Sequence, residues 1–432
     1  MQAALPEAIL AIAAFSAALG LMLLRVPVAV ALGATGLAGL LWQQGWASLA
    51  VDLGGAFSAD TPAVIPLFVM MGVFISQPGL SRQLYDAAHA LVGHCRGGLA
   101  LATLLAGTAF AAICGSTAAA AATMSRVALP EMRRRGYADG LSTASIAAGS
   151  TLGVLLPPSL LLMLYALLTG QPLAKLYIAA LIPGLLGLLL YLAAIWLRTR
   201  REPPVGPVGA ALPWPQRGRH LAATWPFVLL FLLVVGGMFM GWADAEHAAA
   251  LGAVAALFFA VAGGSMTIAR FKAALIETAQ TSGMLFLVLI GVGLFAVSLL
   301  HAGLPQALAD TLAASGCNPV LFLLLLALGY WLLASVIDDL ALIALTLPFV
   351  YPMAQALGID PIWFGIYLVT IVEIGMILPP VGMLLFVIQG SSGVKAPAIM
   401  RGMLPFVIAN LLRVALLVAF PALALALPGL MN

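Results

Sequence analysis

Apolar runs of about 20 residues recur along this chain with almost no charge inside them, the length that crosses roughly 30 Å of hydrocarbon. Only 8% of the 432 residues are charged and 63% are apolar, whereas an ordinary soluble domain carries about 25% charged residues. Strands of a membrane barrel would alternate apolar and polar residues, and these runs do not. The sequence therefore predicts an all-α polytopic membrane protein. The first run, 5–24, lacks a basic lead-in and a small-residue cleavage pattern, so it reads as a retained span and not a signal peptide. Cys95, Cys114 and Cys317 are too scattered for a disulfide framework or a metal cluster. No long soluble domain can be cut from the chain, and no nucleic-acid partner is expected.

Spans are expected at 5–24, 27–47, 62–78, 138–169 and 175–197, and again at 225–241, 248–266, 279–299, 363–389 and 403–428. Re-entrant helical hairpins fit 98–130 and 319–350. If the loop at Arg25 is cytoplasmic, every Lys and Arg except Lys175 and Arg413 falls inside, as the positive-inside rule favours. That bias also supports two re-entrant segments, because counting either as one crossing would invert everything after it. The polar, Pro-rich stretch 198–220 reads as a cytoplasmic linker near the midpoint.

Two of the apolar stretches are broken by proline pairs, in "GVLLPPS" (153–159) and "GMILPPVG" (375–382). Proline removes a backbone donor and clashes with the preceding turn, and lipid cannot satisfy the carbonyls this frees. The pairs lie 222 residues apart, since 379 − 157 = 222. Gly153 and Gly375, Gly136 and Gly358, Pro130 and Pro352, and Pro183 and Pro405 share that offset. Upstream it slips to 224, matching Leu84 with Leu308 and Asp86 with Asp310. So many landmarks in one order point to an internal duplication. With five crossings per half the second copy is inverted relative to the first, the plan of secondary transporters. There, broken helices meet near the midplane, sheltered from lipid. Their free carbonyls ligate cations, and their half-helix N-termini face anions. Ordinary proline kinks are the plainer alternative, but the repeated Gly-to-Pro-Pro spacing favours binding.

The midpoint of the first hairpin is "CGST" (114–117). Gly115 permits a sharp turn, Ser116 and Thr117 supply hydroxyl oxygens, and the alanine run that follows allows close helix packing. At the equivalent place the second hairpin has "SVIDDLAL" (335–342), with Asp338 opposite Ser116. Asp338, Asp339 and Glu373 are the carboxylates expected within the membrane, where such groups are costly and usually functional. Hard oxygen ligands suit an alkali cation, and a proton relay uses the same residue types. Asp339 alternatively caps or is solvated beside the ligand. Glu373 alternatively pairs with a neighbouring polar group or with Arg413.

The chain resembles the large membrane subunit of the tripartite ATP-independent periplasmic (TRAP) transporters, within the wider ion-transporter superfamily. The resemblance rests on "IPLFVMMG" (65–72), "GHCRGGLALATLLAGTAFAAICGS" (93–116), "PEMRRRGY" (130–137), "GSTLGVLLPPS" (149–159), "IDDLALIALTLPFVYP" (337–352), "GIDPIWFG" (358–365) and "VEIGMILPPVG" (372–382), and covers nearly the whole chain. It implies a multi-pass protein of the bacterial inner membrane that imports organic acids with sodium as the coupling ion and no cofactor. A small four-span membrane subunit would pack beside it, and a periplasmic substrate-binding protein would deliver the substrate. The family works as an elevator, which implies scaffold spans and an arm helix at 1–96, a transport half at 97–197, the linker at 198–224, a second scaffold and arm at 225–318, and a second transport half at 319–432. The stretches 81–93 and 304–316 would be the arm helices lying along the interface.

Carried over by motif, one cation site would use Gly115, Ser116 and Thr117 with backbone near Gly153 and Pro157. The other would use Asp338 and Asp339 with backbone near Gly375 and Pro379. The substrate would sit between the tips, near Ser116, Thr117, Ser159 and Gly382. Cys114 stands where the family often has serine, and Leu378 where it often has threonine, so each region lacks a hydroxyl. A standalone sodium- or proton-coupled carrier is the alternative. An intramembrane aspartyl protease is a remote one, because adjacent residues on one helix do not face each other and its two carboxylates must share a proton across a site. Dicarboxylates, keto acids and sugar acids all remain open as substrates.

Overall fold

The computed structural model describes residues 4–44, 63–76, 80–209, 211–264, 266–378 and 382–431. Among them the fold is helical throughout, with one isolated bridge between Arg96 and Val208 in place of any strand. The expectation at Pro379 lies outside the described residues.

In the first half, α1 (Ala4–Leu23), α2 (Val28–Gln44) and α3 (Val64–Ile75) are followed by the amphipathic α4 (Leu80–Val92). The first hairpin is α5 (Gly98–Cys114) and α6 (Thr117–Arg134). The broken stretch is α7 (Asp139–Leu155) and α8 (Leu160–Thr169), and α9 (Leu173–Arg201) closes the half. The linker carries a short helix, α10 (Trp214–Ala222). The second half repeats this order as α11 (Trp225–Phe239), α12 (Ala245–Ala262), α13 (Ile268–His301) and α14 (Leu304–Ala314). The hairpin α15 (Pro319–Ala334) and α16 (Asp339–Ala356) comes next, then α17 (Pro361–Ile377) and α18 (Met383–Ser392), and finally α19 (Ala396–Ala419).

Both proline-pair regions interrupt helices. Leu156 and Leu378 leave α7 and α17 in extended conformation, and Ser159 and Gly382 stand at the N-caps of α8 and α18. The Pro157–Pro158 bond is cis. Length and apolarity suffice for a membrane crossing in six stretches: 139–169 taken through its break, α9, α12, α13, α16 and α19. A seventh is α10 with α11, bent by 46°. The remaining expected spans fall on shorter apolar helices, among them α3, α17 and α18.

Three boundaries differ from the sequence expectation. α13 begins at Ile268, 11 residues before the expected 279. Its early turns are amphipathic, so a hydropathy window misses them. α19 begins at Ala396, with a proline at its start that suits a first turn. The linker is partly helical for the same reason, with Pro213 and Pro215 setting up α10.

Contacts between the halves come in reciprocal pairs. α2 packs on α13 and α3 on α12, α6 on α18 and α8 on α16, and α7 on α19 and α9 on α17. Three helices pack on their own counterparts: α3 on α13, α7 on α17 and α9 on α19. A two-fold relation produces this pattern, as in an isologous dimer. The arms depart from it, since α4 packs along α5 and α6 while α14 packs against α16.

Paired glycines hold each hairpin to its broken helix. A Cβ on Gly153 would lie 2.4 Å from the Thr108 carbonyl oxygen, and one on Gly375 2.4 Å from the Ala334 Cβ. Close backbone approach through small residues is how helices associate in a membrane. The outward faces are apolar: Leu324, Leu325 and Leu332 of α15 and Val254 and Phe258 of α12 are largely exposed. On a soluble protein such faces would be an aggregation hazard; here they face hydrocarbon, and the chain is a multi-pass membrane protein. Gly153→Leu and Gly375→Leu should each destabilise the detergent-solubilised protein by about 1–3 kcal/mol through overpacking. Thermal unfolding checks this, and wild-type midpoints in both variants would show that the helices are not in close contact.

Candidate functional site

The two hairpin tips meet. α5 ends on Cys114, and Gly115 takes a left-handed conformation (φ 65°) that only glycine adopts without strain. Ser116 then caps α6, its Oγ accepting from the Ala119 amide at 3.4 Å. In the second hairpin Asp338 occupies the N-cap of α16 but makes no side-chain capping bond. Asp339 does the local work: its Oδ1 accepts from the Leu340 amide at 3.0 Å. Its Oδ2 accepts from the Thr117 hydroxyl at 2.9 Å, with both residues buried. Thr117 and Asp339 are themselves 222 residues apart, so the two-fold relation passes through this bond.

Beside the joined tips lies a cavity of about 500 Å³. Cys114, Gly115 and Ser116 line it from the first hairpin, Asp338 and Asp339 from the second, and Pro158 from the break. Phe68, Gly72 and Ser76 at α3 form the opposite wall, with Glu277 and Thr281 of α13. Three carboxylates thus share one cavity, and no Lys, Arg or His is among its described lining residues. Carboxylates removed from water need a proton, a cation or several hydrogen bonds. Asp339 has two bonds, whereas the Asp338 side chain makes no capping bond to its helix and lies beside the Asp339 carboxyl.

The other expected residues lie nearby in different roles. Thr117 stands behind the cavity wall, tied to Asp339. Gly153 and Gly375 are buried at the helix contacts described above, and the Gly153 carbonyl already accepts from the Leu156 amide at 3.1 Å. Pro157 faces an apolar groove, and its neighbour Pro158 lines both that groove and the cavity. Ser159 is buried, its Oγ accepting from the Leu162 amide at 3.1 Å and its carbonyl from the Tyr177 hydroxyl at 3.1 Å. Gly382 holds φ 25°, a Cβ there meeting the Met376 carbonyl at 2.9 Å. Neither Ser159 nor Gly382 lines the cavity.

Glu277 and Thr281 are the residues that sequence reasoning missed. Placing the span at 279–299 left Glu277 outside it, whereas α13 carries it inside the helix. The polar positions Glu277, Thr278, Thr281 and Ser282, spaced at three and four along one helix, were the available signal.

Glu373 pairs with Arg413, Oε2 accepting from Nη2 at 2.5 Å, and both side chains are buried. The guanidinium lies against Gly187 of α9, where a Cβ would come within 2.6 Å of Nη1. The pair thus ties α17 to α19 beside the closing helix of the first half. Glu373→Ala should destabilise the protein by about 3–5 kcal/mol, because it strands a buried guanidinium. Thermal unfolding of Glu373→Ala beside the double variant with Arg413→Met checks this: the double variant should recover part of the loss. Equal losses in both would mean that the stranded charge is not the cause.

The family model described as "Tripartite ATP-independent periplasmic transporter, DctM component" matches residues 15–423. A C4-dicarboxylate TRAP transporter large permease protein of Pseudomonas aeruginosa is 34% identical over 88% of this chain and 89% of its own length. A sialic acid TRAP transporter large permease protein of Vibrio cholerae is 30% identical over 95% of this chain and 97% of its own. An isethionate TRAP transporter permease of Oleidesulfovibrio alaskensis, named DctMQ, is 30% identical, with 94% of this chain matching 65% of its length. Among solved structures, the Alcanivorax borkumensis YdaH transporter superposes with a TM-score of 0.64 at 17% identity, covering 91% of each chain, which is a likeness of fold. These relatives are permeases and not enzymes. The chain belongs to the TRAP transporter large-permease family.

Proposed function

We propose that this chain is the transport subunit of a sodium-coupled importer of organic acids in the bacterial inner membrane. The observation that carries the proposal is the acid-lined cavity at the joined tips, with its carboxylates and hydroxyls and no basic side chain among the described lining. An anionic substrate entering it meets like charge. A monovalent cation on the Asp338 and Ser116 side removes that repulsion, so cation and anion enter favourably together, and this is symport. The strength of such coupling rises as water is excluded. The relatives' C4-dicarboxylate, sialic acid and isethionate are all organic anions, and this chain's own cargo belongs to that class.

The tips, the broken helices and the closing helices form one body in this proposal, and α1 to α3 with α11 to α13 form the other. The first carries cargo past the second in an elevator motion, with the two halves inverted about the bilayer midplane. A small membrane subunit and a periplasmic binding protein complete the assembly. The fused DctMQ relative, longer than this chain, supports the first partner.

Uptake into liposomes holding the assembled transporter, driven by a sodium gradient, tests the proposal. Asp338→Asn and Ser116→Ala should each raise the sodium concentration for half-maximal uptake by about tenfold, the scale of one lost charge-assisted contact. Wild-type sodium dependence in both would remove these side chains from the coupling site. Uptake by the chain alone, without a binding protein, would favour the standalone carrier.

A further inference from the structure

A second concavity, of about 430 Å³, adjoins the tip cavity across Ile113 and Pro158, which line both. Its walls come from four places: the arm helix α4 through Leu91, the hairpin helix α5 through Ala109, the break through Pro157, and α11 through Val228 and Phe231. It is an apolar groove, and Leu91, Val228 and Phe231 are all more than a third exposed. α11 bulges into a π turn over Leu232–Gly236 along this wall, a local widening that helices often place at functional sites.

Basic residues flank one end of the groove. Leu221 of α10 and Thr224 just beyond it line that end, and Arg217, one turn before Leu221, shares its helix face with His220 beside it. The Arg217 guanidinium stacks over Trp214 at 5.1 Å, its Nε donating to the Leu212 carbonyl at 2.9 Å. Neither Arg217 nor Arg219 forms an ion pair among the described residues. His220 and Arg135 also act on His89 of α4, whose pKa burial and these neighbours hold below the usual histidine value. The positive end belongs to the linker, on the side where the basic residues of this chain collect.

We propose that the groove binds an anionic phospholipid, with its phosphate at Arg217 and His220 and an acyl chain along Ala109, Val228 and Phe231. The apolar trough suits a hydrocarbon tail, and the basic end suits the negative surface of the inner leaflet. The walls include the broken helix and hairpin on one side and α4 and α11 on the other. A bound lipid therefore touches elements that the transport proposal assigns to different bodies, and it stabilises the arrangement seen here. The lipid site requires only that the chain resides in a membrane and stands independently of sodium coupling.

The test is native mass spectrometry of the delipidated, detergent-solubilised chain titrated with dioleoylphosphatidylglycerol or dioleoylphosphatidylcholine. Wild type should retain one phosphatidylglycerol and little phosphatidylcholine. The double variant Arg217→Gln with His220→Gln, on a helix with no buried residue, should retain phosphatidylglycerol roughly tenfold less, the scale of one to two juxtamembrane charges. Ala109→Trp, which fills the trough, should lose both lipids. Undiminished phosphatidylglycerol retention in the double variant overturns the proposal. So does a structure of the assembled transporter in which a segment of the small subunit occupies the groove.

Discussion

The structure turns on a buried hydrogen bond between two hairpin tips, from the Thr117 hydroxyl to the Asp339 carboxylate. A carboxylate in a low-dielectric interior must be met by donors or by positive charge. Asp339 receives a hydroxyl from the opposite half and an amide from its own helix. The tips can approach this closely because Gly115 turns in the left-handed region and the residues beyond it are alanine. As the bond joins positions related by the internal repeat, it holds both halves together at their common axis. It also leaves Asp338, one residue earlier, at a helix N-terminus without a capping role.

The rest of the site is arranged around that joint. Gly153 and Gly375 clamp each hairpin onto the helix that breaks beside it, which brings Pro158 to the cavity wall. Further from the tips, the Glu373–Arg413 pair and the space left by Gly187 lock α17, α19 and α9 to one another. These contacts pack the elements that bear the Asp338 and Asp339 wall of the cavity against one another. The facing wall, with Glu277 and Thr281, comes from helices that pack mainly among themselves, α13 on α2 and α3 on α12. The cavity's acidic groups thus come from two sets of helices, Glu277 from one and Asp338 and Asp339 from the other.

The two tips are related in position and different in chemistry. One offers Cys114, Gly115 and Ser116, the other two carboxylates. The related halves thus provide unequal ligands to whatever enters. The thiol of Cys114 donates to the Ser116 carbonyl at 3.5 Å, so it takes part in the turn itself. Leu378 at the second break offers only its backbone. The side-chain oxygens that the tips turn to the cavity are therefore those of Ser116 on one side and of Asp338 and Asp339 on the other.

Much of this was legible in order along the chain. Apolar run length fixed the membrane class, because hydrocarbon thickness sets the number of residues per crossing. The proline pairs fixed where helices break, because the missing donor acts locally. The 222-residue offset related Ser116 to Asp338 before any coordinates did. What required the tertiary structure was the division of labour among neighbours. Sequence treats Pro157 and Pro158, or Asp338 and Asp339, as equivalent pairs. Packing gives the members of each pair different partners: Pro158 reaches the tip cavity as well as the groove that Pro157 lines, and Asp339 takes the Thr117 hydroxyl while Asp338 holds the N-cap position, because adjacent residues point in different directions and only the surrounding helices decide what lies there. Glu277 entered the cavity for a related reason: the polar spacing with Thr278, Thr281 and Ser282 marks a helix face, but only the placement of α13 opposite the tips shows what that face meets.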